Sequence, residues 1–290
     1  MRVAFLGPRG TFAEEALRSS SPTGGAIEEI PYPTVYETVM AVQSGDADRA
    51  VVPIENSLEG SVAATLDALA GEADGVRIAA EVVRPIAHCL AVRRGVELDE
   101  VRRVISHPQA IAQCSGFLRE RLPGVETGTA PSTADAVRTV SREAEPWAAL
   151  GPRLAAELYG CDVLAENVED RADNSTRFVW LAPAGTDPGA PPRKTSIVFW
   201  GFNDESPGAL VGVLGELAER DINLTKIESR PRRVRLGHYM FFADLEGAAE
   251  DPRVSEALTA LSERVQTLKV LGSYPVLAAD SPGWPKASRR

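Results

Sequence analysis

Residues 2–20 read RVAFLGPRGTFAEEALRSS, in which a short β-rich apolar run is followed by a turn with Gly and Pro and then by a helix-favouring run. Thr11 and Glu14 have the spacing of a capping box, in which a hydroxyl and a carboxylate satisfy free N–H groups at a helix start. The stretch therefore predicts a strand, a tight turn and a helix, which is the repeating unit of an α/β fold.

The same alternation continues along the chain to about residue 180, for example in RVISH before PQAIAQCSGFLRERL at 103–122 and in VETGTA before STADAVRTVSREA at 125–144. Strands alternating with helices predict parallel sheets covered by helices, with ligands bound where strands end and helices begin. One segment, RIAAEVVRPIAHCLAVRR at 77–94, breaks the alternation because it is long, β-rich and lacks a helix. We expect it to cross between two lobes.

Residues 183–194, PAGTDPGAPPRK, are rich in Pro and Gly without periodicity and predict a linker after a first domain at 1–182. Beyond it the pattern of apolar residues changes. The runs TSIVFWGF, SPGALVGVLGELAER, INLTKIESR, GHYMFFADLEG, DPRVSEALTALSERV and LKVLGSYP predict the order βαββαβ over 195–275. This order is typical of a ferredoxin-like sandwich, and we expect the remaining residues, 276–290, to form a mobile tail.

The composition excludes several classes of protein. With 290 residues, 44% of them apolar, the chain can bury a sizeable core, and 31 Lys and Arg against 41 Asp and Glu argue against a nucleic-acid partner. Cys89, Cys114 and Cys161 are too scattered for a disulfide framework or a zinc site, so we expect reduced thiols. The short apolar start is not a signal peptide and no run approaches a membrane span, so a soluble, cytoplasmic protein without a membrane partner is expected.

Three loops lie where predicted strands lead into helices, GPRGTF (7–12), PIENSLEGS (53–61) and SHPQA (106–110), and a fourth, DNSTRF (173–178), lies at the mouth of the last strand of the first domain. Helix N-termini carry partial positive charge, so several of them around one cleft would bind a small polyanion. Arg9, Arg77 and Arg177 are candidate cations, and Arg177 is favoured because a guanidinium can hold a carboxylate through two hydrogen bonds. Taken singly, GPRGT could be a plain turn, ENS a helix cap and His107 a capping residue. We assign His88 to the core and His238 to a structural role.

Taken together, GPRGTFAEEAL, VVPIENSLEGSV, HPQAIAQC, DNSTRFVWL, GALVGVL and KIESRP, in this order from Met1 to about Pro275, resemble the prephenate dehydratase family. The resemblance implies an α/β fold with a two-lobed, periplasmic-binding-protein-like catalytic domain followed by an ACT regulatory domain. It also implies a lyase that converts prephenate to phenylpyruvate with loss of carbon dioxide and water. Some members carry a chorismate mutase domain ahead of the dehydratase. Because this chain starts directly on the first strand, we expect that activity to be absent.

The resemblance also implies roles for individual residues. The threonine of TRF is tied to catalysis in the family, so Thr176 is expected to donate a hydrogen bond to the leaving oxygen, while Arg177 binds a carboxylate. The remaining candidates for the substrate site are Thr11, Asn56, Ser57 and Ser61, with Asn174 and His107 as weaker candidates and Phe178 packing beneath. Aromatisation of the ring drives the reaction, so we expect no cofactor and no metal.

A second site is expected in the ACT domain. By spacing alone, Pro207 and Gly208 mark an ordinary helix start, near the first helical position. The resemblance implies instead that phenylalanine, an allosteric ligand, binds between two chains, so that the protein is a homodimer or homotetramer. The expected contacts are Gly208, Ala209, Leu210, Val211, Asn223, Glu228, Ser229, Arg230 and Pro231.

Two alternatives remain open. An arogenate dehydratase would act on the same ring with an amine in place of the keto group. A non-catalytic amino-acid-sensing protein would combine a pair of binding lobes with an ACT domain. The DNSTRF stretch argues against the second alternative, since a receptor has no evident need for Thr176 beside Arg177.

Overall fold

The computed structural model describes residues 1–21, 26–202, 207–234 and 236–277. The first lobe begins with the elements β1 (Arg2–Leu6), α1 (Phe12–Ser20), β2 (Glu28–Tyr32), α2 (Val35–Gln43), β3 (Arg49–Asn56), β4 (Gly60–Ser61), α3 (Ala63–Ala70) and β5 (Val76–Pro85). Thr11 and Thr34 cap α1 and α2, because each side chain accepts a hydrogen bond from the backbone N–H three residues on. Thr11 therefore caps α1 as its spacing to Glu14 predicts, and Thr34 caps α2 in the same way.

The chain then crosses into a second lobe through residues 86–88. This lobe contains β6 (Cys89–Val92), a 3-10 helix (Leu98–Glu100), β7 (Arg103–Ser106), α4 (Pro108–Gln113), α5 (Ser115–Arg121), β8 (Glu126–Thr129), α6 (Thr133–Val140), β9 (Trp147–Gly151), α7 (Arg153–Tyr159) and β10 (Asp162–Glu166). The chain returns to the first lobe as β11 (Ser175–Pro183). The first lobe has the strand order β5-β11-β3-β1-β2 with β4 beside β3, and the second has β10-β6-β9-β7-β8.

The prediction of parallel sheets is only partly right. β1 pairs in parallel with β2 and β3, and β7 pairs in parallel with β8 and β9. β11, however, is antiparallel to both β3 and β5, and β6 is antiparallel to β9 and β10. The strands β5, β6, β10 and β11 lie next to the segments in which the chain passes from one lobe to the other. Antiparallel pairing in both sheets is found at these strands, whereas the βα units pair in parallel.

The C-terminal domain follows in the predicted order βαββαβ. Its elements are β12 (Lys194–Trp200), α8 (Ala209–Ala218), β13 (Leu224–Pro231), β14 (Tyr239–Glu246), α9 (Pro252–Arg264) and β15 (Thr267–Tyr274). The strand order β13-β14-β12-β15 is that of a ferredoxin-like sandwich. A last short strand, β16 (Val276–Leu277), pairs with β5 of the first lobe, so these two residues, predicted as part of the tail, lie in a sheet. Residues 278–290 of that tail lie outside the described part of the chain.

The C-terminal sheet packs directly on the first lobe. One hydrophobic core contains Val179 and Leu181 of β11 together with Phe242, Leu271 and Tyr274 of the C-terminal domain. A second core, with Phe178 and Trp180, lies against α1 on the opposite face of the same strand. Side chains along β11 therefore alternate between the α1 face and the C-terminal domain, which decides where the side chains of the TRF stretch point.

The predicted architecture, a two-lobed α/β domain followed by a βαββαβ domain, is confirmed. Cys89, Cys114 and Cys161 are free, and Cys89 and Cys114 are buried. No helix within the described residues has the length and apolar character needed to span a membrane.

Candidate active site

A cavity of about 330 Å³ lies in the cleft between the two lobes. Its lining includes most residues that the sequence proposed for the substrate site: Thr11, Asn56, Ser61, His107, Asn174, Thr176 and Phe178. Other lining residues were not proposed from the sequence, among them Phe12, Glu59, His88, Gln109, Gln113, Ser132 and Thr133. The cavity therefore joins the C-terminal ends of β1, β3 and β7 with the starts of α1, α3, α4 and α6, as expected for ligands of α/β folds. β11 contributes its first residues instead, because it runs antiparallel to β3.

Thr176 is held by Asn56 in a fixed direction. Asn56 Nδ2 donates to Thr176 Oγ1 at 2.9 Å and to Asn174 Oδ1 at 2.8 Å. Asn56 Oδ1 accepts from the N–H groups of Leu58 and Glu59, and only an oxygen can do this, so the orientation of the amide follows from its partners. Thr176 Oγ1 is therefore an acceptor here, and no group in the described residues accepts its own proton. The hydroxyl proton is free to point into the cavity.

The network continues across the cleft into the second lobe. Asn174 Nδ2 donates to Gln113 Oε1 at 3.3 Å, and His88 Nε2 lies 3.4 Å from the same oxygen. Because Gln113 offers an oxygen, Nε2 carries the proton and Nδ1 does not. Burial lowers the pKa of His88, against the opposing effect of the Gln113 hydrogen bond, so the ring is neutral near neutral pH. His88 is buried as predicted from its apolar surroundings, but it also lines the cavity.

Three helices of eight residues or more begin beside the cavity, because the N-cap residues of α1, α3 and α6, which are Thr11, Val62 and Ser132, all line it. At the start of α1, the N–H groups of Phe12 and Ala13 have no hydrogen-bond partner within the described residues, because they belong to the first turn. The same holds for the N–H groups of Thr133 and Ala134 at the start of α6. These unsatisfied donors give the cavity partial positive charge from both lobes.

Several side chains proposed as ligands are already used within the protein. Thr11 Oγ1 donates to the Leu6 carbonyl oxygen at 2.9 Å and accepts from Glu14 N–H, so its contribution to a ligand comes from the neighbouring N–H groups. His107 accepts from Gln109 N–H at the start of α4, as the capping alternative predicted. Ser57 does not line the cavity; its hydroxyl donates to the Asp173 carbonyl oxygen and accepts from Ser175 N–H.

The expectation that Arg177 grips a substrate carboxylate is wrong for this structure. Arg177 lies on the opposite face of β11 from Thr176 and Phe178, because adjacent side chains of a strand point to opposite faces. Its guanidinium is 2.6 Å from Asp244 Oδ2 of the C-terminal domain and 3.2 Å from Glu81 Oε2. Burial opposes the charge, but these carboxylates outweigh it and raise the pKa of Arg177.

The other candidate cations are also engaged elsewhere. Arg9 pairs with Glu14 and Glu29, and Arg77 donates to the carbonyl oxygens of Asp74 and Val76. Among the described residues that line the cavity there is no lysine or arginine. The described ranges also contain no cluster of three or more His, Cys, Asp or Glu side chains able to hold a metal ion.

Known proteins provide a comparison for this arrangement. Residues 3–186 match the prephenate dehydratase family, and residues 196–263 match the ACT domain family. The chain is 42% identical over 290 residues to a prephenate dehydratase from Mycolicibacterium vanbaalenii, covering 94% of this chain and 90% of that one.

The chain belongs to the prephenate dehydratase family.

Two solved structures agree with this assignment of the fold. A prephenate dehydratase from Arthrobacter aurescens in complex with L-Phe superposes with a TM-score of 0.85 at 38% identity, covering 97% of this chain and 92% of that one. GqqA, described as a novel type of quorum quenching acylase, superposes with a TM-score of 0.84 at 34% identity, covering 97% and 99%. The predicted identification of the family and of its lyase class is confirmed.

The ACT domain contains a cavity of about 390 Å³ at the start of α8. Gly208 is the N-cap of this helix with φ of 81°, so α8 begins at Ala209, two residues after Pro207. The expected effector residues Gly208, Ala209, Leu210 and Val211 line this cavity. Asn223 and the ESRP segment do not, and Arg230 instead binds Asp67 of the catalytic domain at 2.9 Å and 3.0 Å. A site that joins these segments between two chains stays a prediction.

Proposed function

We propose that this member of the prephenate dehydratase family converts prephenate to phenylpyruvate in phenylalanine biosynthesis, as a soluble cytoplasmic enzyme without a cofactor. The observation that carries the proposal is the hydroxyl of Thr176, which lines the cavity between the two lobes and donates to no acceptor within the described residues. Unsatisfied N–H groups of α1 and α6 surround that cavity. Prephenate has two carboxylates, and the helix starts supply donors for both of them.

The reaction breaks two bonds of the substrate ring. The bond to the ring carboxylate breaks, its electron pair enters the ring as carbon dioxide leaves, and the bond to the hydroxyl oxygen breaks at the opposite carbon. The departing hydroxide takes up one proton and becomes water, so atoms and charge balance. The ring becomes aromatic, which supplies the driving force.

The proposed role of Thr176 follows from its partner. Because Asn56 occupies the acceptor side of Oγ1, the O–H can donate to the leaving oxygen as negative charge develops there. A threonine hydroxyl is a weak acid, so we assign it a hydrogen bond to the leaving group rather than the whole proton. Asn56 is thereby a positioning residue for Thr176.

The apolar part of the lining suits the loss of carbon dioxide. Phe12, Phe178, Ile86 and Val62 contribute apolar surface to the cavity. A carboxylate that turns to neutral carbon dioxide loses its need for hydration as it reacts. An apolar wall beside it therefore favours the transition state over the charged ground state.

The direct test is formation of phenylpyruvate from prephenate by the purified protein without added metal. Arogenate, the alternative substrate, should be compared in the same assay by kcat/KM. We expect prephenate to give the higher value, in line with the relative named prephenate dehydratase. A higher value on arogenate would overturn the substrate assignment, and no turnover of either would favour the non-catalytic sensor.

An acylase activity like that named for GqqA lacks support in the cavity. A hydroxyl that attacks an acyl group needs an adjacent base within hydrogen-bond reach. Within the described residues, neither His88 nor His107 forms a hydrogen bond with a hydroxyl of the lining. Ser132 does donate to a carboxylate, Asp135 Oδ2 at 2.9 Å, but the same hydroxyl accepts from Asp135 N–H, so this pair caps α6. The arrangement supports a dehydratase better.

Regulation by phenylalanine is proposed from the ACT domain and from the L-Phe present in the Arthrobacter aurescens structure. The effector must bind one arrangement of the subunits more tightly than another, in a homodimer or homotetramer. If phenylalanine weakens the binding of a substrate analogue, linkage requires the analogue to weaken the binding of phenylalanine by the same factor. Calorimetry measures the affinity for phenylalanine with and without the analogue. Absence of any phenylalanine binding would remove this part of the proposal.

A further inference from the structure

The lining of the cleft cavity lacks a full positive charge. The described residues that form it include no lysine or arginine, and Glu59 adds a negative charge. Each helix start contributes only about half an elementary charge, and the proposed substrate is doubly negative. An ammonium placed directly behind the lining would therefore strengthen the binding of that substrate.

Lys226 of the ACT domain is such an ammonium. It lies on β13, and its Nζ donates to Ser61 Oγ at 2.5 Å, while Ser61 lines the cavity. The same Nζ is 3.3 Å from Glu55 Oε1 and 3.7 Å from Glu228 Oε2. The side chain of Lys226 is only 11% exposed, so its position is set by these three acceptors and by packing.

The hydrogen bond from Lys226 fixes the direction of the Ser61 hydroxyl. Oγ accepts from the ammonium, and within the described part of the chain Ser61 donates to no acceptor. A hydroxyl that accepts from a cation is polarised and becomes a better donor. Ser61 thus offers the cavity an O–H donor polarised by an ammonium whose charge Glu55 and Glu228 also balance, whereas the O–H of Thr176 is polarised only by the neutral amide of Asn56.

The same lysine contacts both strands of the hairpin that supports the catalytic threonine. In the pairing of β3 with β4, Glu55 lies opposite Ser61 and Asn56 lies opposite Gly60. Lys226 contacts Glu55 on one strand and Ser61 on the other. The residue after Glu55 is Asn56, which holds Thr176.

We propose that Lys226 is a positioning residue of the active site: its hydrogen bond to Ser61 turns a polarised O–H donor towards a carboxylate of the substrate. This rests on the proposed function, since it requires an anionic substrate in the cleft. It follows that the regulatory domain completes the substrate site and does not merely lie beside it. Movement of β13 would change substrate affinity without any change in the catalytic residues.

The test compares Lys226→Met with Lys226→Arg and with Lys269→Met in steady-state kinetics on prephenate. Lys269 is the matched control, because it forms a comparable pair between the two domains, 2.8 Å from Asp74, is 14% exposed and does not line the cavity. We expect Lys226→Met to raise KM about tenfold and to change kcat by no more than about twofold. This result is expected when the bound substrate and the transition state lose the same interaction. Lys226→Arg should restore most of the affinity, and Lys269→Met should leave KM unchanged.

A double-variant cycle tests the route through Ser61. If Lys226 acts through that hydroxyl, Ser61→Ala raises KM, and adding Lys226→Met to it raises KM by much less than about tenfold. Unchanged KM in Lys226→Met, an equal rise in Lys269→Met, or fully multiplicative effects would overturn the proposal while leaving the proposed function intact. A wild-type protein that forms no phenylpyruvate would instead overturn the proposed function, and this proposal with it.

Discussion

The amide nitrogen of Asn56 donates to the hydroxyl oxygen of Thr176 over 2.9 Å, and this direction of donation decides what the threonine can do. The amide cannot turn over without losing the hydrogen bonds that its oxygen accepts from Leu58 and Glu59. Thr176 therefore keeps its O–H donor for a ligand, since within the described residues its hydroxyl takes part only as an acceptor. A leaving hydroxyl that gains negative charge requires a donor of this kind.

Replacing Thr176 with alanine removes that donor. Loss of one well-placed transition-state donor typically costs about 10²–10³ in turnover, so kcat on prephenate should fall by about that factor with KM little changed. Thr176→Ser keeps the hydroxyl and the Asn56 hydrogen bond and should retain most of the activity. A kcat for Thr176→Ala close to that of the wild type would remove Thr176 from the mechanism.

Asn56→Asp reverses the direction of the hydrogen bond while nearly preserving shape. The aspartate still accepts from Leu58 and Glu59, but towards Thr176 it offers a second oxygen, which accepts the threonine proton. We therefore expect kcat to fall by about 10² or more, because the donor towards substrate is consumed. Asn56→Gln, which keeps the amide on a side chain longer by one methylene group, is the comparison. An Asn56→Asp variant as active as the wild type would contradict the positioning role of Asn56.

Arg177→Met should affect stability more than substrate affinity. Its partners Asp244 and Glu81 are buried, with side chains 7% and 3% exposed, and breaking a buried ion pair costs about 3–5 kcal/mol. Arg153→Met is the control, since Arg153 is 61% exposed, and exposed pairs contribute about 1 kcal/mol or less. Urea denaturation measures the change in the free energy of unfolding for each variant. A raised KM for Arg177→Met at unchanged stability would restore the carboxylate clamp expected from the sequence.

His88 gives the protein a pH-dependent stability on the acid side. Burial lowers its pKa in the folded protein, so between that value and about 6.5 the unfolded chain binds more protons than the folded one. The free energy of unfolding therefore decreases as pH falls below about 6.5, by at most about 1.4 kcal/mol per pH unit from this group. In His88→Gln, the free energy of unfolding should lack this decrease between about pH 7 and pH 5. Above about pH 7, the free energies of unfolding of the two proteins should change with pH in the same way.

The sequence predicts much of the fold because its signals are local. The capping threonines, the strand–helix alternation and the turn residues each depend on a few neighbouring side chains, and the structure places the corresponding elements where they were expected. Most residues of the cleft could also be grouped, since loops at the carboxyl ends of parallel strands are the usual place for ligands in α/β folds. The family resemblance added the role of Thr176, which composition and spacing do not give.

The direction of Arg177 could not be predicted in the same way. Alternation along β11 puts Thr176 and Arg177 on opposite faces, but the sequence does not tell which face borders the cleft. That depends on the ACT domain, which packs on the other face and provides Asp244. His88 was assigned to the core for a related reason: an apolar neighbourhood predicts burial, and a buried ring can still border a cavity.

The contact between β15 and β5 has a mechanical consequence for the cleft. Gly272 approaches Ile78 so closely that an added Cβ would lie 2.2 Å from the Ile78 carbonyl oxygen, and β16 then extends the sheet of the first lobe. The regulatory domain and the first lobe therefore pack together as one structural unit. A movement of the second lobe relative to this unit would therefore involve the two segments that connect the lobes, residues 86–88 and 167–174, and the first of these contains His88.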